Sequence, residues 1–252
     1  MIIMKEISKA EKKEKTNNER DKKKIKKEKK EKAKEKVTEK KGRSVLTKAR
    51  SKISKMPDIK LFGKWDSNFE INEPGLKRYI TLKPKFIPKS SGAFRKRFHK
   101  SKMHIVERLA LHLLVPGHKG KKHRLTSGKF SGGYENVLKI VEKTLDIIEK
   151  KENKNPVEVL TRAIENAAAR EEIISYQLGS IVAREAVITS PQRRIDKTLR
   201  YFAQSAYRKS FKSKRKLENA LAEEIILASQ NSDKSEAIKE KIRIEHEASG
   251  AR

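Results

Sequence analysis

Apolar positions are unevenly spread along this chain, and their spacing changes character twice. From Lys5 to Lys41 there is little but Lys and Glu, as in DKKKIKKEKKEKAKEK. Such a run cannot bury enough surface to offset its chain entropy, so it is expected to be disordered or a transient single helix. From Pro57 to Phe98 aromatics and prolines stand among basic residues with only short apolar runs. Pro74, Pro84 and Pro88 speak against a long helix there, which predicts an extended, mostly irregular segment clipped onto a surface.

From Ser101 onward helical spacing takes over. Ile105, Leu109 and Leu113 line one face of a first helix, and Val137, Ile140, Val141, Thr144, Leu145 and Ile148 follow i, i+3, i+4, i+7 closely. NPVEVL restarts the chain, with Asn155 as cap, Pro156 at the first helical position and Glu158 placed for a capping box. Leu160, Ala163, Ile164 and Ala167 form that helix's inward stripe. Ser190-Pro191 opens another helix with apolar Ile195, Leu199, Phe202 and Ala206. Leu217, Leu221, Ile225 and Ala228 mark the next, and Ile238 and Ile242 a last, weaker one.

Between these helices SYQLGSIVAREAVITS reads as a β-ribbon. Its outgoing strand shows Ile174, Tyr176 and Leu178; its return strand mixes Val182, Arg184, Ala186 and Ile188. An isolated two-stranded hairpin is marginal in water. Part of the ribbon is therefore expected to pack on the helices while its tip, Leu178-Gly179-Ser180, projects as a probe. The predicted architecture is mainly α: a bundle of about six helices with one protruding β-hairpin and a basic N-terminal extension. Residues 1–56 would be the tail and 57–100 the extended basic-aromatic segment. Residues 101–252 would be the helical domain, with the hairpin at about 172–189.

Charge changes this picture from a fold to a binding surface. The 252 residues carry 64 Lys+Arg against 33 Asp+Glu, a formal +31. Solubility of a small domain needs only roughly 2 to 8 units, and so large a surplus makes the compact state repel itself. A polyanionic partner is implied, nucleic acid first and an anionic membrane face second. No run approaches the roughly 18 apolar residues of a transmembrane helix, so no membrane span is expected, and with nucleic acid preferred no membrane partner is expected either. The absence of cysteine excludes disulfides, thiolate zinc sites and cysteine nucleophiles, and fits a reducing cytoplasm.

Three basic clusters stand out. Arg193, Lys197, Arg200, Gln204 and Arg208 share the polar side of the helix after the ribbon, next to Arg184 and to the free N–H groups at Pro191. A solvated basic face is the bland reading of such a row; contact with phosphates is the sharper one. FRKRFHKSK, residues Phe94 to Lys102, is the second cluster, and the loop GHKGKKHR, Gly117 to Arg124, the third. The loop lacks the spacing and the following Ser/Thr of a P-loop, so it suits a phosphate backbone better than a nucleotide. The tail is either a solubilising segment or an electrostatic arm.

Histidines His99, His104, His112, His118, His123 and His246 raise a metal site, but no carboxylate joins His104 and His112 at ligand spacing. No Ser/His/Asp set or inward carboxylate pair emerges, since Glu171-Glu172 and Glu223-Glu224 are adjacent and diverge. Neither metal, cofactor nor enzymatic activity is expected.

At ENAAAREEIISYQLGSIVAREAVITSPQRRID the chain resembles a known family, small-subunit ribosomal protein seven in its archaeal and eukaryotic form (the eukaryotic counterpart is called protein five). LFGKW, EPGLKRYITLKP, RKRFHKSKMHIVERL, DIIEKKENKNPVEVLTRAIENA and FKSKRKLENALAEEIILAS extend the resemblance over about Lys60 to Arg252. It implies a six-helix bundle with a protruding ribbon, and a structural, non-catalytic ribonucleoprotein role in translation. It also implies binding to the 3′ major domain of small-subunit rRNA, nucleation of head assembly, and contact with exit-site tRNA and mRNA. Other partners would be neighbouring head and platform proteins. By position, Arg95, Lys96, Arg97, Lys100 and Lys102 would hold rRNA before the first long helix, and Lys119, Lys121 and Lys122 from the loop. Arg184, Arg193 and Arg194 would do so at the ribbon and helix start, beside Lys197 and Arg200, while Leu178, Gly179 and Ser180 would face the exit site. Two departures touch the ribbon: Ala168-Ala169 replaces the family's Gly-Pro before Arg170, and Ser180 replaces a second tip glycine. The rival from another class is a chromatin-like binder of duplex DNA; an RNA-modifying enzyme stands a distant third.

Overall fold

The computed structural model describes residues 59–117 and 132–251. The lysine- and glutamate-rich tail, His118, His123 and the loop lysines Lys119, Lys121 and Lys122 lie outside the described residues. Among the described residues, seven α-helices and one two-stranded sheet follow in chain order: a single turn α1 (Pro74–Lys77), α2 (Ile105–Leu114), α3 (Tyr134–Glu152), α4 (Pro156–Ala167), β1 (Glu171–Leu178), β2 (Ile181–Ile188), α5 (Pro191–Ser210), α6 (Leu217–Ser229) and α7 (Glu236–Ser249). The six longer helices are those the periodicity predicts, and the mainly α reading with one β-hairpin holds.

Helix α6 sits at the centre because its sequence lets neighbours approach from several sides. Ala220, Leu221, Ala222, Ile225 and Ala228 are all buried, and α3, α4 and α5 pack against it. Its one buried charge, Glu224, is a junction. Its oxygens accept from Ser205 Oγ at 2.8 Å and Lys209 Nζ at 2.8 Å on α5, and from Ser235 Oγ at 2.7 Å at the cap of α7. Burial works to raise the Glu224 carboxyl, but these bonds outweigh it and hold the group below the usual range. Adjacent Glu223 is only partly buried and pairs with Arg215, so this carboxylate pair diverges as expected.

At the start of α4 the expected cap forms with different partners. Asn155 Oδ1 accepts the Val157 amide at 3.0 Å, and its Nδ2 donates to the Asp66 carbonyl at 2.7 Å. The cap thus closes on the segment before α1 rather than through Glu158. The stretch from Leu61 to Ile80, irregular apart from α1, is firmly seated: Leu61, Trp65, Leu76 and Ile80 belong to the buried core. Trp65 Nε1 donates to Glu149 on α3 at 3.0 Å, and Lys64 reaches Glu142 and Asp146 on the same helix. Helix α7 corrects one expectation. Ile242 is 51% exposed, and the inward stripe instead runs through Ala237, Ile238, Ile244 and Ala248.

The strands pair antiparallel from Glu171↔Ile188 to Leu178↔Ile181. The two-residue turn needs a left-handed first position, and Gly179 supplies it at φ 61°. Helix α7 packs against the base of the ribbon, where the Arg170 amide donates to Glu245 at 2.9 Å. The distal half has no such support: Leu178, Ile181 and Val182 are all exposed. The ribbon is anchored at its root and free at its tip.

Candidate nucleic-acid interface

The candidate interface is built around the first three turns of α5. Ser190 is its N-cap with extended backbone and Pro191 takes the first helical position, so the N-terminal amides need no sacrifice of a proline donor. Two arginines follow, and a helical rotation of about 100° per residue sends them different ways. The Arg193 side chain is 58% exposed, and its Nε donates to Glu172 on β1 at 2.6 Å. Lys197, one turn on, donates to the other Glu172 oxygen. Burial works to raise the Glu172 carboxyl; the bonds from Arg193 and Lys197 prevail and hold it low.

Arg194 turns inward. Its side chain is 9% exposed; NH1 pairs with Glu73 at 2.7 Å, Nε donates to the Ala169 carbonyl at 3.0 Å, and NH2 to the Ala168 carbonyl at 3.2 Å. Here the geometry corrects the expectation that Arg193 and Arg194 act together. Every direction of the Arg194 fork is spent on the protein's own backbone and on Glu73. The alanine pair preceding the ribbon is what it grips, and the extended backbone of Ala168 presents those carbonyls.

Asp196, not singled out from the sequence, joins two clusters that lie far apart in the chain. It accepts from Lys100 Nζ at 2.8 Å and from Arg108 NH2 at 2.8 Å, with His112 Nε2 at 3.6 Å. Arg108 is wholly buried and also donates to the Tyr79 carbonyl at 2.9 Å. Burial works to raise the Asp196 carboxyl, but His112, Arg108 and Lys100 hold it far below the usual carboxylate range. The bond from Lys100 brings the FRKRFHKSK segment against α5. Asp196 shares its side of the helix with Arg193 and Arg200, three residues before and four after. The sequence signal was an acid inside a basic row, together with an arginine on an apolar stripe.

Around this junction the remaining cations are open. Arg95, Lys96, Arg97, Lys102, Arg184 and Arg200 are all exposed. Arg97 lies over the ring of Phe98, 5.1 Å from its centroid, and that ring is 68% exposed. Further along α5, Gln204 Nε2 donates to the Pro116 carbonyl at 3.0 Å and Arg208 pairs with Glu236 at 2.7 Å. Of the predicted row, then, Arg200 points free while Arg193, Lys197 and Arg208 are lightly held by single carboxylates. On the ribbon, Arg184 stands opposite Ser175 on one face, and Tyr176, Leu178 and Ile181 stand on the other.

The histidines go separate ways. His104 caps α2, its Nδ1 accepting from the Val106 amide at 3.3 Å, whereas His112 faces Asp196. Among the described residues no group of three or more His, Cys, Asp and Glu is placed to hold a metal ion, and no helix is long and apolar enough to cross a membrane.

Comparison with known proteins decides the lineage. A model of the family described as ribosomal protein S7p/S5e matches residues 76–252. The chain belongs to this family. It is 47% identical over 196 residues to the small ribosomal subunit protein uS7 of Nanoarchaeum equitans (strain Kin4-M), covering 77% of this chain and 99% of that one. It is 41% identical over 196 residues to the protein of the same name from Methanothrix thermoacetophila, covering 77% of this chain and 100% of the relative. The S7p/S5e match takes in every basic residue of the interface just described, from Arg95 to Arg208, whereas Glu73, which holds Arg194, lies just before it.

Proposed function

We propose that this chain is a structural constituent of the small ribosomal subunit that binds folded rRNA by electrostatics and shape, without catalysis. The observation that carries the reading is the meeting of two distant basic segments at Asp196, which brings the stretch holding exposed Arg95, Lys96, Arg97 and Lys102 against the helix holding exposed Arg193 and Arg200; in this reading they act as one cationic face. Lys100 and Lys197 belong to that face as partly paired members; Arg194 supports it from beneath. The relatives named uS7 support the assignment to the subunit. Folded RNA suits such a face because its deep groove hides the bases, leaving backbone and irregular loops to be read.

In this reading the rRNA is the 3′ major domain, binding helps nucleate the head, and the protein works in the cytoplasm as part of the subunit. The lysines Lys119, Lys121 and Lys122 add contacts from their loop. Arg184 and the tip Leu178-Gly179-Ser180 extend toward exit-site tRNA and mRNA, and head and platform proteins lie alongside. The test is competition binding at fixed salt between a 3′ major domain transcript and duplex DNA of equal charge. Preference for the transcript is expected. Equal affinity would favour the chromatin-like, duplex-DNA alternative. Charge reversal at Arg97 and Arg200 together should weaken binding and flatten the log–log salt dependence by roughly 0.7 to 0.9 for each phosphate no longer neutralised.

A further inference from the structure

One cavity lies beside this cationic face and plays no part in the electrostatic reading. It encloses about 340 Å³ between the basic segment, α2 and the first turn of α3, within the roughly 300–1,000 Å³ typical of small-ligand sites. Its walls are apolar and aromatic, with Phe94, Leu111 and Tyr134 among them. Lys89 and Arg95 also line it, and Lys89 stands over the Tyr134 ring, 5.9 Å from its centroid.

The cavity also contains a buried charge. Glu107 is only 3% exposed. One of its oxygens accepts from the amide and hydroxyl of Ser90, but Oε2 is buried with no hydrogen-bond partner. Leaving a buried acceptor unmade is costly, and more so when it is charged. A molecule that placed an N–H donor at this carboxylate would recover that loss. Tyr134, whose hydroxyl donates to the Pro88 carbonyl at 3.0 Å, is pushed up to about 12 by burial and by the neighbouring Glu107 charge, so its proton stays in place and the wall stays neutral.

We propose that this cavity takes an unpaired guanine base of the bound RNA, with Glu107 as the acceptor for its N1–H and N2–H edge. Each feature selects one part of that ligand. The aromatic walls suit a planar base, which stacks without regard to sequence. Lys89 and Arg95 suit the phosphate that follows the base. The carboxylate supplies discrimination, because guanine alone among the four bases offers two adjacent donors on its Watson–Crick edge. Uracil offers one, and adenine sets an acceptor beside its amino group. The cavity therefore adds a sequence-selective contact to a face otherwise reading backbone and shape.

This inference rests on the rRNA-binding reading, and the experiment separates the two. The full-length protein is bound at saturation to a 3′ major domain transcript, which is probed with a dicarbonyl reagent that adducts N1 and N2 of unpaired guanine. Wild type should protect at least one guanine that Glu107→Gln leaves reactive, with reactivity rising tenfold or more while the transcript remains bound. The amide of the variant keeps the Ser90 contacts but turns a donor toward the donors of guanine. Leu111→Trp, at the half-exposed cavity wall and away from the carboxylate, should expose the same guanine by filling the space, which guards against misfolding of the first variant.

Protection of every guanine irrespective of residues 107 and 111 overturns the inference and leaves rRNA binding standing. Failure of wild type to bind the transcript overturns both. Titration with guanosine 5′-monophosphate in the absence of RNA forms the third arm. Saturable binding there, with no guanine of the transcript depending on Glu107, moves the cavity to a free nucleotide and overturns the RNA assignment.

Discussion

The sharpest consequence of the geometry is that neighbouring arginines on α5 should behave in opposite ways. In Arg194→Met the aliphatic stem is retained and the guanidinium is removed, along with its bonds to the carbonyls of Ala168 and Ala169 and its pair with Glu73. Removing one partner from a buried ion pair costs about 3–5 kcal/mol. The Glu73 side chain is 22% exposed and can rehydrate, which argues for the lower end. Two backbone carbonyls are deprived of their donor as well, at roughly 1 kcal/mol or more each if they stay buried. The expected destabilisation is therefore about 5 kcal/mol. For a unit of this size 1 kcal/mol moves the melting point by roughly 2–4 °C, so the drop should be about 10–20 °C. Arg193→Met breaks an exposed pair worth about 0–1 kcal/mol and should melt within a few degrees of wild type. The assay is thermal unfolding followed by far-UV circular dichroism, at moderate salt to damp the self-repulsion of a +31 chain. The same two proteins are then tested for rRNA affinity at a temperature where both are folded. Arg193→Met should bind more weakly, and Arg194→Met, once folded, nearly as wild type. Equal melting points for the two variants would refute the assignment of Arg194 as the clamp beneath the ribbon.

Two further outcomes follow from the same geometry. Burial, with a smaller push from Lys85, lowers His104 from 6.5 to about 4. The unfolded chain therefore binds the proton first, and stability present above pH 6.5 should decline as pH falls toward 4, by on the order of 3 kcal/mol for this group. Urea unfolding across that window checks it, and His104→Asn, which keeps an acceptor for the Val106 amide, should flatten the slope; an unchanged slope counts against His104 as the titrating group. Deleting Leu178 to Ser180 removes an exposed tip beyond the paired base, so rRNA affinity and melting point should hold while binding of exit-site tRNA to assembled subunits falls, and a drop in rRNA affinity would reverse that division of labour.

How much of this was written in the spacing of residues can be seen on α5 itself. The polar row Arg193, Lys197, Arg200, Gln204 and Arg208 follows from periodicity alone, and so does the inward stripe of Ile195, Leu199, Phe202 and Ala206, all four buried. Arg194 was set beside Arg193 by resemblance, yet its own spacing points the other way. Four residues on stands buried Thr198 and eight on stands buried Phe202, so helical rotation already assigned it to the inner face. What spacing cannot supply is the partner. Glu73, Lys100 and Arg108 reach α5 from 121, 96 and 88 residues away in sequence, taking Glu73 to Arg194 and the other two to Asp196. No local pattern encodes those meetings; they arise when α2 and the segment before it close over α5. The same limit explains α7, where Ile242 fits an i, i+4 reading with Ile238 but the neighbours that bury the helix select Ile244 and Ala248. Charge count announces that the surface seeks a polyanion. Which cations remain free to meet it depends on which carboxylates folding brings within reach, and on this face Glu73, Glu172 and Asp196 make that selection.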